Sequence, residues 1–395
     1  MVLAATIGVT LGAAPVPFYT IGLFAPELAR SFHWGFGQIQ FGILVSSIAT
    51  LVSVPLIGMI ADRVGVRATA LTSLVLFGAC FMGFALSTGS LLQFYVTWAL
   101  QGVLGSGTLP ITWTRAVNHR FEVRKGLALG ICLAGTGLFG IVGKPLVTWW
   151  IATLGWRGAY VAVGLLPIVI ALPVGLAFFR DASPADRPGS GDAGQADAEG
   201  FTLRSALSDW RFWLMGVSLV TTAFAVGGPT PNMENILAEH GFSAARAATL
   251  TPLIGASVIV GRLASGWLMD RVWAPLVAFV LLTLPALACL MLAHAALSYA
   301  MAAGAIGLIG LAAGMESDLV AFLVARYFGL RSYGSIYGSV YVFYALGGAV
   351  AASVFGWAYD RTHSYASVLT ASAAILVTGG AAFLALGRYR FAHRR

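Results

Sequence analysis

The chain is a succession of apolar runs, most of them twenty residues or longer, separated by short polar or Gly/Pro-rich breaks. A helix needs about 20 apolar residues to cross about 30 Å of hydrocarbon, so runs of this length dictate membrane-spanning helices. A transmembrane barrel is excluded, because its strands alternate polar and apolar residues whereas these runs are continuous. A water-soluble fold is excluded as well: 10% of the residues are charged and 58% hydrophobic, against roughly 25% charged in a soluble domain. Cutting at the breaks predicts twelve spans, at 3–28, 37–61, 68–87, 91–117, 126–152, 157–179, 210–236, 246–269, 273–294, 298–326, 333–358 and 366–387. The first has no basic flank and outruns a signal-peptide core, so it reads as a helix of the mature protein. Cys80, Cys132 and Cys289 all fall inside runs and imply no disulfide framework.

Between Asp181 and Gly200 there is no Val, Ile, Leu, Phe, Tyr or Trp, while Asp, Ala, Gly, Ser and Pro dominate. Such a stretch reads as a flexible linker. The sequences on either side of it resemble one another. Pro15-Val16-Pro17 in span one recurs as Pro229-Thr230-Pro231 in span seven, and Gly58, Asp62 and Arg63 recur as Gly266, Asp270 and Arg271 at an offset of 208. Gly126 and Gly130 recur as Gly334 and Gly338 at the same offset. An internal duplication of six spans accounts for this, the usual architecture of a secondary transporter. The expected organisation is a six-helix bundle over 1–180, a cytoplasmic linker over 181–208 and a second six-helix bundle over 209–395. Sixteen of the 23 basic residues fall on the side of the linker and both termini, and four on the other. Basic loops stay inside, which predicts cytoplasmic termini in a multi-pass cell-membrane protein.

The loop after span two reads Gly58-Met59-Ile60-Ala61-Asp62-Arg63-Val64-Gly65-Val66-Arg67. It resembles the most recognisable motif of the major facilitator superfamily, Gly-x-x-x-Asp-Arg-x-Gly followed by a basic residue, with Arg67 one place late. That resemblance implies the all-α major facilitator fold, twelve transmembrane helices in two pseudo-symmetric six-helix bundles. Physically, a glycine-permitted turn lets helices approach, and an aspartate there can sit against the positive amino end of a helix in the opposite half. Gly58, Asp62, Arg63, Gly65 and Arg67, with Gly266, Asp270 and Arg271, are therefore expected to act as a gate. The entry to span five, Phe121-Glu122-Val123-Arg124-Lys125-Gly126-Leu127-Ala128-Leu129-Gly130, continuing to Gly135, looks like the fifth-span signature of the monocarboxylate porter family. Arg120 and Cys132 depart from it, and the family's acidic signature in span one is absent. Gly135-Thr136-Gly137-Leu138-Phe139-Gly140 matches a dinucleotide fingerprint only formally, because no strand precedes it; close helix packing is the expected role.

A charge inside the bilayer costs at least about 2.5–3.5 kcal/mol on insertion scales and persists with a partner or a wet cavity. Arg262 lies in span eight, and the monocarboxylate porters carry an arginine in that span as the anchor for the substrate carboxylate. Its planar fork meets a carboxylate in two parallel hydrogen bonds and does not deprotonate. Glu316 of span ten shares its depth, and Glu316 and Asp318 are the candidate partners and proton carriers. Residues two apart point about 200° apart, so at most one of them faces Arg262. Lys144 in span five either attracts anions or snorkels to the interface, and Arg115 reads as an interfacial or gate residue. Tyr19, Asn232 and Tyr341 are candidates to line the cavity, since a tyrosine buries its ring while its hydroxyl reaches a ligand.

The expected activity is secondary transport of a small organic anion, monocarboxylate-like, by alternating access, coupled to a proton or to anion exchange. The alternative is an efflux permease for apolar or cationic compounds. No enzyme chemistry, cofactor, metal or nucleic-acid partner is expected, and the carrier is expected to work as a monomer within the lipid bilayer.

Overall fold

A computed structural model describes residues 1–120, 125–179, 200–294, 296–329 and 331–391. The readings that concern residues 181–199 of the linker, Arg124, and the side chains of Asp62, Arg115, Arg120 and Lys125 lie outside the described residues.

Among the described residues, ten helical stretches are long and apolar enough to cross a membrane. One of them, Ala128–Phe178, has 51 residues and would be about 75 Å long at ~1.5 Å per residue, far more than one crossing. Gly155, at φ +70°, breaks it into spans five and six; a side chain disfavours that backbone region, and glycine does not. Leu91–Gly105 and Pro110–Arg120 supply span four. The fold is thus all-α with twelve spans, as the apolar runs predict.

Several spans are interrupted where sequence chemistry demands it. Span one is two helices, Val2–Thr10 and Pro15–Phe32. Span seven repeats the device as Trp210–Gly227 and Pro229–Glu239, and span eight as Ala244–Leu250 and Pro252–Met269. In each case a proline opens the second helix, where its missing N–H is not needed and its fixed φ suits the first turn. Side-chain caps begin other helices: Ser90, Asp209, Ser243 and Ser298 each accept a hydrogen bond from a backbone N–H two or three residues on. Val52, Leu56, Ile60 and Val64 leave an exposed apolar stripe along Phe36–Val64, the surface expected against lipid rather than water.

The chain forms two compact units. The first gathers the six spans of the first half with Pro231–Ala256 and Ala352–His363. The second gathers span seven up to Thr230, Ser257–Ala351, and the last span from Ser364 onward.

Candidate functional site

In the second unit, spans eight and ten touch backbone to backbone. A Cβ on Gly261 would stand 2.2 Å from the carbonyl oxygen of Leu311, and one on Gly314 would stand 2.1 Å from that of Val258. Only hydrogen fits there, and small residues are what let membrane helices approach so closely. The approach brings Arg262 to Asp318: Nε lies 3.3 Å from Oδ2, with side chains 14% and 28% exposed. Span ten is the continuous helix Tyr299–Phe328. Its other acid, Glu316, is 3% exposed, with Oε1 lacking a hydrogen-bond partner among the described residues. Sequence left the choice between the two acids open, and the geometry assigns the ion pair to Asp318.

Span eleven, Tyr333–Thr362, lays a ladder of phenols beside these charges. Tyr333, Tyr337, Tyr341 and Tyr344 follow one another with ring centroids 5.8, 5.8 and 5.2 Å apart. Tyr337 lies within electrostatic reach of Asp318 and Arg262, and Tyr341 and Tyr344 within reach of Arg262 and Glu316. The unit therefore holds a guanidinium, a partly exposed carboxylate, a buried carboxyl and a row of hydroxyls in one place.

The first unit holds a second charge centre. Gly22 of span one meets span seven so closely that a Cβ would fall 1.6 Å from the carbonyl oxygen of Pro231, and Asn235 donates to the carbonyl of Gly22 at 3.3 Å. Asn232, fully buried, exchanges two amide hydrogen bonds with Gln40 of span two. Glu234, two residues on, meets Lys144 of span five: Nζ to Oε1 is 2.7 Å, and the lysine side chain is 0% exposed. The same Nζ lies 5.8 Å from the centroid of the Tyr19 ring, itself buried. Lys144 therefore does not snorkel. Proline follows it at 145 inside the helix, and the charge is answered internally by Glu234.

Glycine packing also explains the formal dinucleotide pattern. A Cβ on Gly135 would meet the carbonyl of Thr6 at 2.5 Å, and one on Gly140 would meet Cα of Gly255 at 3.1 Å and Cζ of Tyr19 at 3.3 Å. These glycines seat span five against spans one and eight.

In the gate motif, Gly65 takes φ +104° between two helices, the left-handed turn for which glycine is suited. Arg67 donates to the carbonyl of Leu176 at 2.6 Å, tying the turn to the end of span six. Arg63 and Asp270 are exposed. Arg271 stacks 4.2 Å over Trp267 and donates to its carbonyl at 3.1 Å. A Cβ on Gly58 or Gly266 would have nothing within 4 Å.

Sequence reasoning missed Glu234, Gln40 and Asp360. Glu234 carried a usable signal, an acid inside a predicted span near the Pro-x-Pro break. Gln40 and Asp360 sit near predicted span ends, where polar residues are ordinary.

A family model for the Major Facilitator Superfamily matches residues 7–352. A Thermoproteus tenax protein described as an uncharacterized 38 kDa protein in the 23S RNA operon is 31% identical, over 91% of this chain and 88% of its own. Monocarboxylate transporter 13 of Bos taurus is 28% identical, over 94% of this chain and 85% of its own. Among solved structures, an inward-facing, occupied bacterial homologue of the human lysosomal transporter Spinster superposes with a TM-score of 0.72 at 14% identity, covering 98% of this chain and 96% of that one. With twelve spans, the motif at 58–67 and a family match over most of its length, the chain belongs to the major facilitator superfamily.

Proposed function

We propose that this chain is a secondary active transporter of a small organic monoanion, working by alternating rocking of its two six-helix halves, 1–180 and 209–395, joined by the 181–208 linker. The observation that carries this reading is the Arg262–Asp318 pair inside an apolar helix bundle. A guanidinium held by one carboxylate can exchange it for the carboxylate of a cargo at little electrostatic cost once Asp318 takes up a proton, because the charge count around Arg262 is then unchanged. Tyr341 beside it offers a hydroxyl to the rest of the cargo, and Glu316 offers a carboxyl for proton movement. A carboxylate on the guanidinium and a second carboxyl within reach of the same tyrosines give the site room for a proton together with the anion, so coupling to protons or to anion exchange fits it. Likeness to monocarboxylate transporter 13 supports the same class of cargo. Gly58 to Arg67, with Gly266 to Arg271, form the gate on the cytoplasmic face; the excess of basic residues on the side of both termini supports that orientation.

The test is ligand-induced thermal stabilisation of the purified carrier across lactate, pyruvate, oxalate and aromatic acids, followed by uptake into proteoliposomes. Stabilisation and uptake of a carboxylate are expected. Binding of lipophilic cations with no response to any carboxylate would replace this reading with efflux.

A further inference from the structure

The Lys144–Glu234 centre is not needed to explain recognition of one carboxylate by Arg262, yet it is the more deeply buried of the two ion pairs. Lys144 Nζ is 2.7 Å from Glu234 Oε1 with the lysine side chain fully buried. Both oxygens of Glu234 are buried, and neither has a hydrogen-bond partner among the described residues apart from this ion pair. A carboxylate serving only as a structural stitch ordinarily has its remaining lone pairs satisfied, since an unsatisfied buried acceptor is costly. The Tyr19 ring lies on the ammonium, and the neighbouring Gln40–Asn232 amides are neutral and already occupied with each other. Other titratable groups of these elements are placed elsewhere. Glu27 pairs with Arg30 in span one, Glu239 lies more than a turn beyond Glu234 and is exposed, and Arg246 at the start of span eight is exposed.

We propose that Lys144 and Glu234 form a second proton–anion coupling site of this carrier, in which Glu234 accepts a proton and Lys144 then takes a carboxylate anion in its place. The anion half rests on the transport reading above; the proton half does not. In the empty state the pair is neutral, ammonium against carboxylate. A proton from water on the open side adds to a Glu234 oxygen, the lysine keeps its proton, and the arriving anion restores neutrality. Proton without anion leaves a lone buried cation, and anion without proton leaves a net negative charge; each is disfavoured inside the bilayer. Proton and anion therefore bind together by electrostatic linkage, and each raises the affinity for the other.

Full-length wild type, Glu234→Gln, Lys144→Gln and the double variant are compared in proteoliposomes by two readouts. Infrared difference spectra on acidification are expected to contain a protonated-carboxyl band that Glu234→Gln removes. With pyruvate as probe, Glu234→Gln is expected to keep counterflow while accumulation driven by a pH gradient falls about tenfold or more, within the usual range of a coupling energy. Lys144→Gln is expected to lose both. An acidification spectrum that loses no carboxyl component in Glu234→Gln, undiminished gradient-driven accumulation in that variant, or wild-type transport by the double variant would each overturn the proposal. If wild type moves no carboxylate, the cargo assignment and the anion half fall together, and the band alone decides whether Glu234 is the proton acceptor.

Discussion

Asp360, in the last turn of span eleven, caps the helix that begins at Phe36: its Oδ1 accepts from the backbone N–H of Phe36 at 2.7 Å and its Oδ2 from that of Gly37 at 2.8 Å. The contact is fitted by glycines. A Cβ on Gly35 would stand 2.6 Å from Oδ2, and one on Gly356 would stand 2.7 Å from the nitrogen of Gly37. It places a carboxylate on the positive end of a helix, at the start of span two. Asp360→Ala is expected to remove two charge-assisted hydrogen bonds and to lower stability by about 1–2 kcal/mol. Thermal unfolding in detergent checks this, and an unchanged midpoint would mean the cap contributes nothing.

Arg262→Lys keeps the charge near Asp318 but loses the planar fork. The dissociation constant for a carboxylate cargo is expected to rise by roughly 10- to 150-fold, one good hydrogen bond to a charged group being worth about 1.5–3 kcal/mol. Uptake at normal affinity in that variant removes the bidentate anchor.

Glycine positions separate packing from gating. Gly314→Ala puts a methyl 2.1 Å from the Val258 carbonyl, so spans eight and ten must part; a loss of about 1–3 kcal/mol is expected, together with weakened cargo binding as Arg262 leaves Asp318. Gly58→Ala has open space and is expected to leave stability within about 0.5 kcal/mol. If the gate reading holds, its transport rate nevertheless falls, because the turn must close against other helices during the cycle. Normal transport by Gly58→Ala would count against the gate.

The Gln40–Asn232 exchange predicts an asymmetry. Asn232→Ala strands a buried amide and is expected to cost about 1–3 kcal/mol, whereas the double change to leucine is expected to be much milder. A double-variant loss equal to the sum of the two single losses would show that the two amides are energetically independent.

Much of the fold is legible in the chain because hydrocarbon makes local demands. Each apolar stretch must satisfy its own backbone hydrogen bonds, so a run of adequate length becomes a helix wherever it ends up. The prolines at 15 and 229 mark breaks because the helix geometry they impose is equally local. The site was legible by half. Arg262, Glu316 and Asp318 stand out as charges in apolar surroundings. Glu234 carries a weaker signal, an acid inside a span but beside a proline break, and Asp360 carries none, since it lies near a span end where a charge can equally be solvated.

The sequence by itself determined the number of crossings, the membrane class and the residues that can carry charge within the bilayer. Tertiary structure decided how those charges pair: Arg262 with Asp318 and not Glu316, Lys144 with Glu234 and not the interface, Asp360 with an amide 324 residues away. The physical reason is that pairing depends on backbone contacts such as Gly314 against Val258 and Gly22 against Pro231. Those contacts join segments remote in the chain, and the periodicity of a single helix carries no record of which neighbour will meet it.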